Sequence, residues 1–400
     1  MFIATGLVML GNYYVYDSIA PVAELLTRQL GFSDTQLGSL NAIYSLPNVF
    51  LVLVGGVLVD RLGARLVVFW TTAICLAGAL LTQFGSQFPV MLLGRFLFGV
   101  GAETLVVAVL VALAQWFLGR WFALFLALNI SVSRLGSFLA DRSPSFARSL
   151  YEQGWQPALG LATAFAVLSL AGAAVYWYYD RREERRGTLA IAPPGERIDW
   201  RNLLRFRAGY WYIVAVCVAF YAVIFPFRST FAIKYYQQAH DLSREAAGAI
   251  NGNVFLAAAI ATPVFGLIVD RFGRHALLLA AGSVLLPLSF LFLANGNVEL
   301  WVSSVLLGVS FSLVPAVLWP SVARYVKGDQ LGTAYGLMTM LQNAGLTVAN
   351  VFVGYLNDRG GASAAHAQGY AAMLWFFGLL SLAGFLFSVL LLRHDRAARA

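Results

Sequence analysis

The stretch GVLVDRLGAR, residues 56–65, recurs as GLIVDRFGRH at residues 266–275. Asp60 and Asp270 stand 210 positions apart, and Phe32-Ser33 with Leu242-Ser243 and Asn41 with Asn251 keep that offset. Gly99-Val100 matches Gly308-Val309 at 209, and Leu139-Ala140-Asp141-Arg142 matches Leu356-Asn357-Asp358-Arg359 at 217. One coarse period covering both halves of a chain is the mark of a duplicated transporter, with a single solute site expected between the repeats near the membrane midplane. Each copy of the loop closes a helix–loop–helix turn whose glycines, Gly63 and Gly273, permit a tight reversal. Its carboxylate can take a helix N-terminus or a neighbouring arginine. Asp60, Arg61, Gly63 and Arg65, with Asp270, Arg271 and Gly273, are therefore candidate latches that break and reform as the halves rock. An inert solvated turn is the blander alternative, and the duplication weighs against it.

Composition agrees with a membrane protein. The 400 residues are 60% hydrophobic and 12% charged, with mean hydropathy +0.74. A soluble chain carries about twice that charged fraction. Apolar segments, punctuated by Gly, Pro and charges, predict about twelve spans long enough to cross the bilayer. They run over 2–26, 38–59, 66–85, 88–113, 121–141 and 157–179, then 208–236, 246–268, 275–294, 299–323, 331–355 and 369–392. This divides the chain into an N-terminal six-helix bundle (1–180), a charge-dense linker (181–207) and a C-terminal six-helix bundle (208–400). The net charge of +8 sits mostly in short loops between spans, which is the positive-inside pattern and not a nucleic-acid footprint. Arg28, Arg142, Arg148, Lys234 and Arg244 are exceptions on the opposite side. An even span count then puts both termini in the cytoplasm. Cys75 and Cys217 fall inside apolar helices and read as small core residues.

Charges inside the apolar spans carry the functional reading. Arg95, Glu103 and Arg134 lie within segments 94–134 that otherwise read as lipid-phase helix. A charge at that depth is costly, so it is expected to face the bundle interior or a water-filled cavity. At ~1.5 Å per residue, Glu103 falls near mid-membrane and Arg134 within one or two turns of it. A guanidinium fork can hold a carboxylate, and a carboxylate can receive an ammonium or carry a proton. The pair therefore suits the two ends of a zwitterion. A structural Glu103–Arg134 or Glu103–Arg95 bridge is the alternative. Asp17 follows the aromatic run Tyr13-Tyr14-Val15-Tyr16 and is either a cavity residue or an outer latch partner. Tyr44, Tyr221, Trp319 and Tyr335 are amphipathic rings able to line a peptide cavity, or to pack. Arg228 reads as structural or gating, and Asp141-Arg142 and Asp358-Arg359 as external latches.

With its signature loop in both halves, the chain resembles the major facilitator superfamily. Arg95 in Gly94-Arg95-Phe96-Leu97-Phe98-Gly99 is similar to that family's fourth-helix arginine motif and is grouped with the candidate latches. Further motifs resemble the branch that includes the lysosomal dipeptide transporter, a uniporter, and its prokaryotic relatives. These are Tyr16-Asp17 with Pro21, Tyr44-Ser45-Leu46-Pro47-Asn48, Gly101-Ala102-Glu103-Thr104 and Ser133-Arg134-Leu135-Gly136-Ser137. Phe225-Pro226-Phe227, Leu318-Trp319-Pro320, Leu331 to Gly336 and Gln342-Asn343-Ala344-Gly345 complete the set. The resemblance implies an all-α membrane fold of two pseudo-symmetric six-helix bundles. It also implies that Glu103 holds a peptide amino terminus and Arg134 its carboxylate, with Trp319 and Tyr335 lining the far wall.

The expected function is alternating-access transport of short peptides, dipeptides foremost, down their gradient or with a proton. The alternatives are a proton-coupled carrier of organic anions or drugs and, in another class, a non-transporting membrane receptor. No enzyme is expected, because His240, His275, His366 and His394 lack metal-ligand spacing and no phosphate-binding loop of Walker type occurs. No cofactor and no metal are implied. The chain lacks a lysosomal sorting tail, and Asn129-Ile130-Ser131 lies inside a span, so a monomer in a prokaryotic cell membrane without an accessory subunit is expected.

Overall fold

The computed structural model describes residues 1–117, 122–185, 206–295, 298–326 and 330–397, without the side chains at 52–54, 122–123, 263, 266, 267, 270 and 272. The expected linker at 181–207 lies mostly outside the described residues, as does Arg120. The described chain is helical and groups into twelve rods. Among the described residues eight helices are long and apolar enough to cross a membrane, and a ninth qualifies if Asp34–Leu51 and Gly55–Leu62 count as one bent span.

Two compact units form. The first takes Met1–Phe32 and Ser39–Gly195; the second takes Ser33–Gly38 and Glu196–Ala400. The first unit contains α1 (Phe2–Asp17 continuing as Ile19–Leu30), most of α2 (Asp34–Leu62) and α3 (Ala64–Phe84). It continues with α4 (Phe88–Phe117), α5 (Phe122–Phe146), a short helix Arg148–Gln153, and α6 (Trp155–Glu184). In the second unit α7 runs Ala208–Pro226, passes through a π-helical turn Phe227–Phe231 and resumes as Ala232–Ala239. Then come α8 (Arg244–Phe272), α9 (His275–Ser283 and Leu285–Asn295), α10 (Leu300–Ser321), α11 (Leu331–Gly360) and α12 (Ala371–Ala397).

The packing repeats as the sequence does. In the first unit α3 packs on α4, α1 on α5 and α6, and α3 on α6. In the second unit the same partnerships appear six helices later: α9 on α10, α7 on α11 and α12, and α9 on α12. Glycine sets one crossing in both copies. A Cβ on Gly99 would stand 2.3 Å from the Tyr44 carbonyl oxygen, and one on Gly308 would stand 2.3 Å from that of Val254. Tyr44 and Val254 are themselves 210 positions apart. The absent side chain lets α4 ride on α2, and α10 on α8, with backbones touching.

The first helix of each repeat is broken at the same place. Pro21 has no N–H for the ladder, and α1 steps at Ser18, whose N–H and hydroxyl both turn back to the Val15 carbonyl at 3.4 and 2.8 Å. In α7 the π turn follows Pro226 directly. Such breaks are tolerated in a membrane helix where side chains satisfy the freed backbone groups.

Candidate functional site

In the first unit Glu103 lies one helical turn from Gly99 on α4, on the face that α2 touches. Close approach of the two backbones lays Tyr44 along α4, and its hydroxyl donates to Glu103 Oε1 at 3.2 Å. Tyr44 also rests 4.7 Å from the Tyr16 ring and 5.4 Å from Phe98. Arg134, on α5, is half-buried. The charges of Glu103, Asp17 and Arg134 all act on the Tyr13 hydroxyl of α1. The expected pair and Asp17 therefore share one electrostatic neighbourhood around Tyr13 and Tyr44. Glu103 takes a hydrogen bond from Tyr44 on one carboxylate oxygen.

Arg95 stands apart from the surface loops with which it was grouped as a latch. It is 1% exposed and donates to Leu40 O (3.3 Å), Val15 O (3.2 Å), Tyr16 O (3.2 Å) and Asn41 Oδ1 (2.6 Å). All four acceptors belong to α1 and α2, so Arg95 fastens three helices at the step in α1. Asp17 is buried at that step and lies within the field of Arg95.

In the second unit the three expected aromatic residues meet. Trp319 Nε1 donates to the Tyr221 hydroxyl at 3.1 Å, and the Tyr335 hydroxyl donates to the Trp319 carbonyl at 3.0 Å. The Trp319 and Tyr335 rings stack at 6.1 Å. Tyr221 stacks in turn on Phe225 at 5.7 Å. An indole held between two phenols gives a rigid wall with polar tips, suited to apolar or aromatic side chains of a solute. Arg228 is buried in the π turn with its guanidinium 4.0 Å from the Phe255 ring centroid.

Of the loop residues, Asp60, Arg61, Arg271, Gly63 and Gly273 are exposed. Gly63 and Gly273 adopt φ of 79° and 58°, which only glycine takes without strain. The Asp270 side chain lies outside the described residues. Arg65 is bonded to Glu184 Oε2 at 2.5 Å and stands 3.6 Å from Asp180 Oδ2, both on α6. Trp116 Nε1 donates to the other Asp180 oxygen at 2.9 Å. Among the described residues, no group of three His, Cys, Asp or Glu side chains is placed to hold a metal ion.

The model of the Major Facilitator Superfamily matches residues 1–252 and 227–400. The chain belongs to that superfamily. It is 32% identical over 395 residues to the human "Lysosomal dipeptide transporter MFSD1", covering 96% of this chain and 83% of that protein. To the bovine protein of the same name it is 33% identical over 363 residues, 88% of this chain and 77% of the other. The "Hexuronate transporter" of Bacillus subtilis is more distant, 24% identical over 379 residues with 88% and 86% covered. Among solved structures, the nucleoside transporter NupG aligns with a TM-score of 0.74 at 13% identity, covering 96% of this chain and 98% of that one. A bacterial homologue of the human lysosomal transporter Spinster aligns at 0.75 and 14%, covering 98% and 96%. This chain is an integral membrane transporter of small molecules and not an enzyme. The receptor alternative gives way to that assignment.

One polar cluster of this superfamily member was not anticipated. Lys234, near the end of α7, forms an ion pair with Asp34 at the start of α2; both side chains are buried within the second unit. The Asp34 and Thr35 N–H groups donate to Asp358 Oδ1 and Oδ2 at 2.7 and 2.8 Å. Asp358 thus caps a helix N-terminus, one of the two partners open to such a carboxylate. A lone lysine in the apolar run after Pro226 was the available signal. Its partner lies 200 positions away, beyond the reach of local pattern.

Proposed function

We propose that this transporter carries short peptides, dipeptides above all, by alternating access. Arg134 takes the peptide carboxylate with its fork and Glu103 takes the amine, while Tyr44 keeps the Glu103 carboxylate oriented. The Tyr221–Trp319–Tyr335 cluster supplies contacts to peptide side chains. The latch loops around Asp60 and Asp270 operate in the conformational cycle. The observation that carries the reading is that Glu103, its carboxylate oriented by the Tyr44 hydroxyl, and the half-buried Arg134 stand on the packed helices α4 and α5 of a bilayer-spanning unit. Identity of 32% across nearly the whole chain to a protein named as a dipeptide transporter supports the substrate class. We further propose a prokaryotic cell membrane with both termini cytoplasmic, the protein acting as a monomer without an accessory subunit.

The test is dipeptide uptake by proteoliposomes holding the full chain. Glu103→Gln and Arg134→Ala should each abolish uptake, and Arg134→Lys, which keeps the charge but not the fork, should leave a small residue of it. Normal uptake in both Glu103→Gln and Arg134→Ala would remove the assignment. A second reading, proton-coupled transport of organic anions, draws on similarity to the hexuronate transporter and a probable sulfoacetate transporter. Competition separates the two. Free dipeptides should block uptake, whereas N-acetylated dipeptides and simple organic acids should not; the reverse order favours the anion carrier.

A further inference from the structure

Each repeat has a corner where its third helix begins beside the end of its sixth. In the first unit protein charges neutralise that corner: Arg65 meets Glu184 and Asp180, and Trp116 bonds Asp180. The second unit copies the frame. Tyr325 stands 209 positions after Trp116 and donates its hydroxyl to Asp395 Oδ1 at 2.5 Å, as Trp116 does to Asp180. His275 stands 210 positions after Arg65. The charges are not copied. Glu184 comes four residues after Asp180, but Arg396 adjoins Asp395 and Arg274 precedes His275.

The corner opens there as a cavity lined by Arg274, His275, Leu277, Leu392, Asp395 and Arg396. Among the described residues neither Arg274 nor Arg396 has an ion-pair partner, and the one carboxylate present is held by Tyr325. His275 Nδ1 pairs with the Gly273 carbonyl at 2.9 Å, which orients its ring. Leu277 is 41% exposed at the start of the apolar α9, so the cavity joins oily helix surface to the two exposed arginines.

The geometry points to a binding site for a phosphate group at this corner, carried by an anionic phospholipid whose acyl chains lie along Leu277 and Leu392. Arginine forks match phosphate oxygens, and a basic pocket at a membrane helix end is placed at headgroup depth. An external anion there would stand beside the arginines as Glu184 stands beside Arg65 in the first unit.

The test uses the full chain in neutral detergent, with native mass spectrometry and thermal unfolding as readouts. Phosphatidylglycerol should be retained and should raise Tm, while phosphatidylcholine should do neither. Arg274→Gln with Arg396→Gln should weaken phosphatidylglycerol retention by roughly tenfold. Arg28→Gln with Arg148→Gln, which removes the same charge elsewhere, should not. Inorganic phosphate should displace the lipid only at high concentration. Equal retention of phosphatidylcholine by the unaltered protein, or undiminished phosphatidylglycerol binding by the Arg274/Arg396 variant, overturns the site. A Tm rise with inorganic phosphate alone, at concentrations that expel the lipid, overturns the lipid as the source. If the glutamine variant does not fold, the comparison of the two lipids on unaltered protein needs no variant and decides the site by itself.

Discussion

Substituting Arg95 should cost the first unit its fastening without touching the outer charges. Methionine is the informative replacement, because it fills most of the volume and supplies no donor. Of the four acceptors, Val15 O keeps the Ser18 N–H and hydroxyl, and Leu40 O lies inside α2, where the helix ladder serves it. Tyr16 O and Asn41 Oδ1 lose the guanidinium. A hydrogen bond from a charged donor is worth about 1.5–3 kcal/mol, so loss of the two comes to roughly 3 kcal/mol after relief of the buried charge. For a unit of this size that corresponds to a fall in Tm of about 6–12 °C. Arg95→Lys keeps the charge, but a compact ammonium cannot span acceptors on two helices, so about half the loss is expected. Thermal unfolding of purified protein in detergent reads this directly. A Tm for Arg95→Met within about 2 °C of the unaltered protein would refute the strut and return Arg95 to the gating residues.

Three further outcomes follow from packing and charge. Lys234→Met leaves Asp34 buried without its partner and should destabilise by about 3–5 kcal/mol, whereas adding Asp34→Asn should recover much of it; a double-mutant cycle with additive effects would deny the pair. Burial alone raises the Asp358 pKa, but hydrogen bonds from Thr35, Asp34 and Ser33 outweigh it and hold the carboxyl below its ordinary value. A group lowered in the folded state stabilises above its ordinary pKa and loses that contribution as pH falls through the lowered one. Tm should therefore drop on acidification below about pH 4, and Asp358→Asn should flatten that limb; an unchanged acid limb would count against the cap. Gly99→Ala should force α2 from α4 and disturb the Tyr44–Glu103 bond, lowering both Tm and uptake. Gly56→Ala, whose Cβ meets nothing within 4 Å, should be neutral or stabilise by about 0.5–1 kcal/mol.

The duplicated loop and the spacing of apolar runs made the helix order and the repeat legible, because both are local patterns in a solvent that demands satisfied backbones. The repeat even carried packing detail: the Gly99 and Gly308 match marks the same backbone crossing in each unit. The membrane-depth charges Glu103 and Arg134 were legible from cost alone, and the aromatic residues from motif. What was hidden depends on pairing across long separations. Nothing near Asp34 announces Lys234, and Asp358-Arg359 read as an external latch with no sign that the Asp358 carboxylate takes the backbone N–H groups of residues 34 and 35. Arg95 was placed among latches because a motif gives residue type and depth, not the identity of acceptors.

The broken first helices show how the two copies diverged while keeping one device. Ser18 and Arg228 are 210 positions apart, so the step in α1 and the π turn in α7 occupy the same place in the repeat. Their neighbours Asn41 and Asn251 share that offset and both attend the break. Asn41 Oδ1 receives Arg95, which in turn holds Val15 O and Tyr16 O; Asn251 Nδ2 donates to the Arg228 carbonyl at 3.1 Å. The arginine has changed address. In the first unit it reaches in from α4, where the counterpart at offset 209 is Ser304, whose hydroxyl donates within its own turn to Leu300 O. In the second unit it sits on the broken helix itself, over the Phe255 ring. Arg95 donates to backbone carbonyls of the broken helix, whereas Arg228 donates to the Ser229 hydroxyl at 2.9 Å, and α10 carries no charged residue. Glu103 diverges separately: its counterpart at the same offset is Ser312, so the carboxylate at that point of the repeat belongs to the first unit alone.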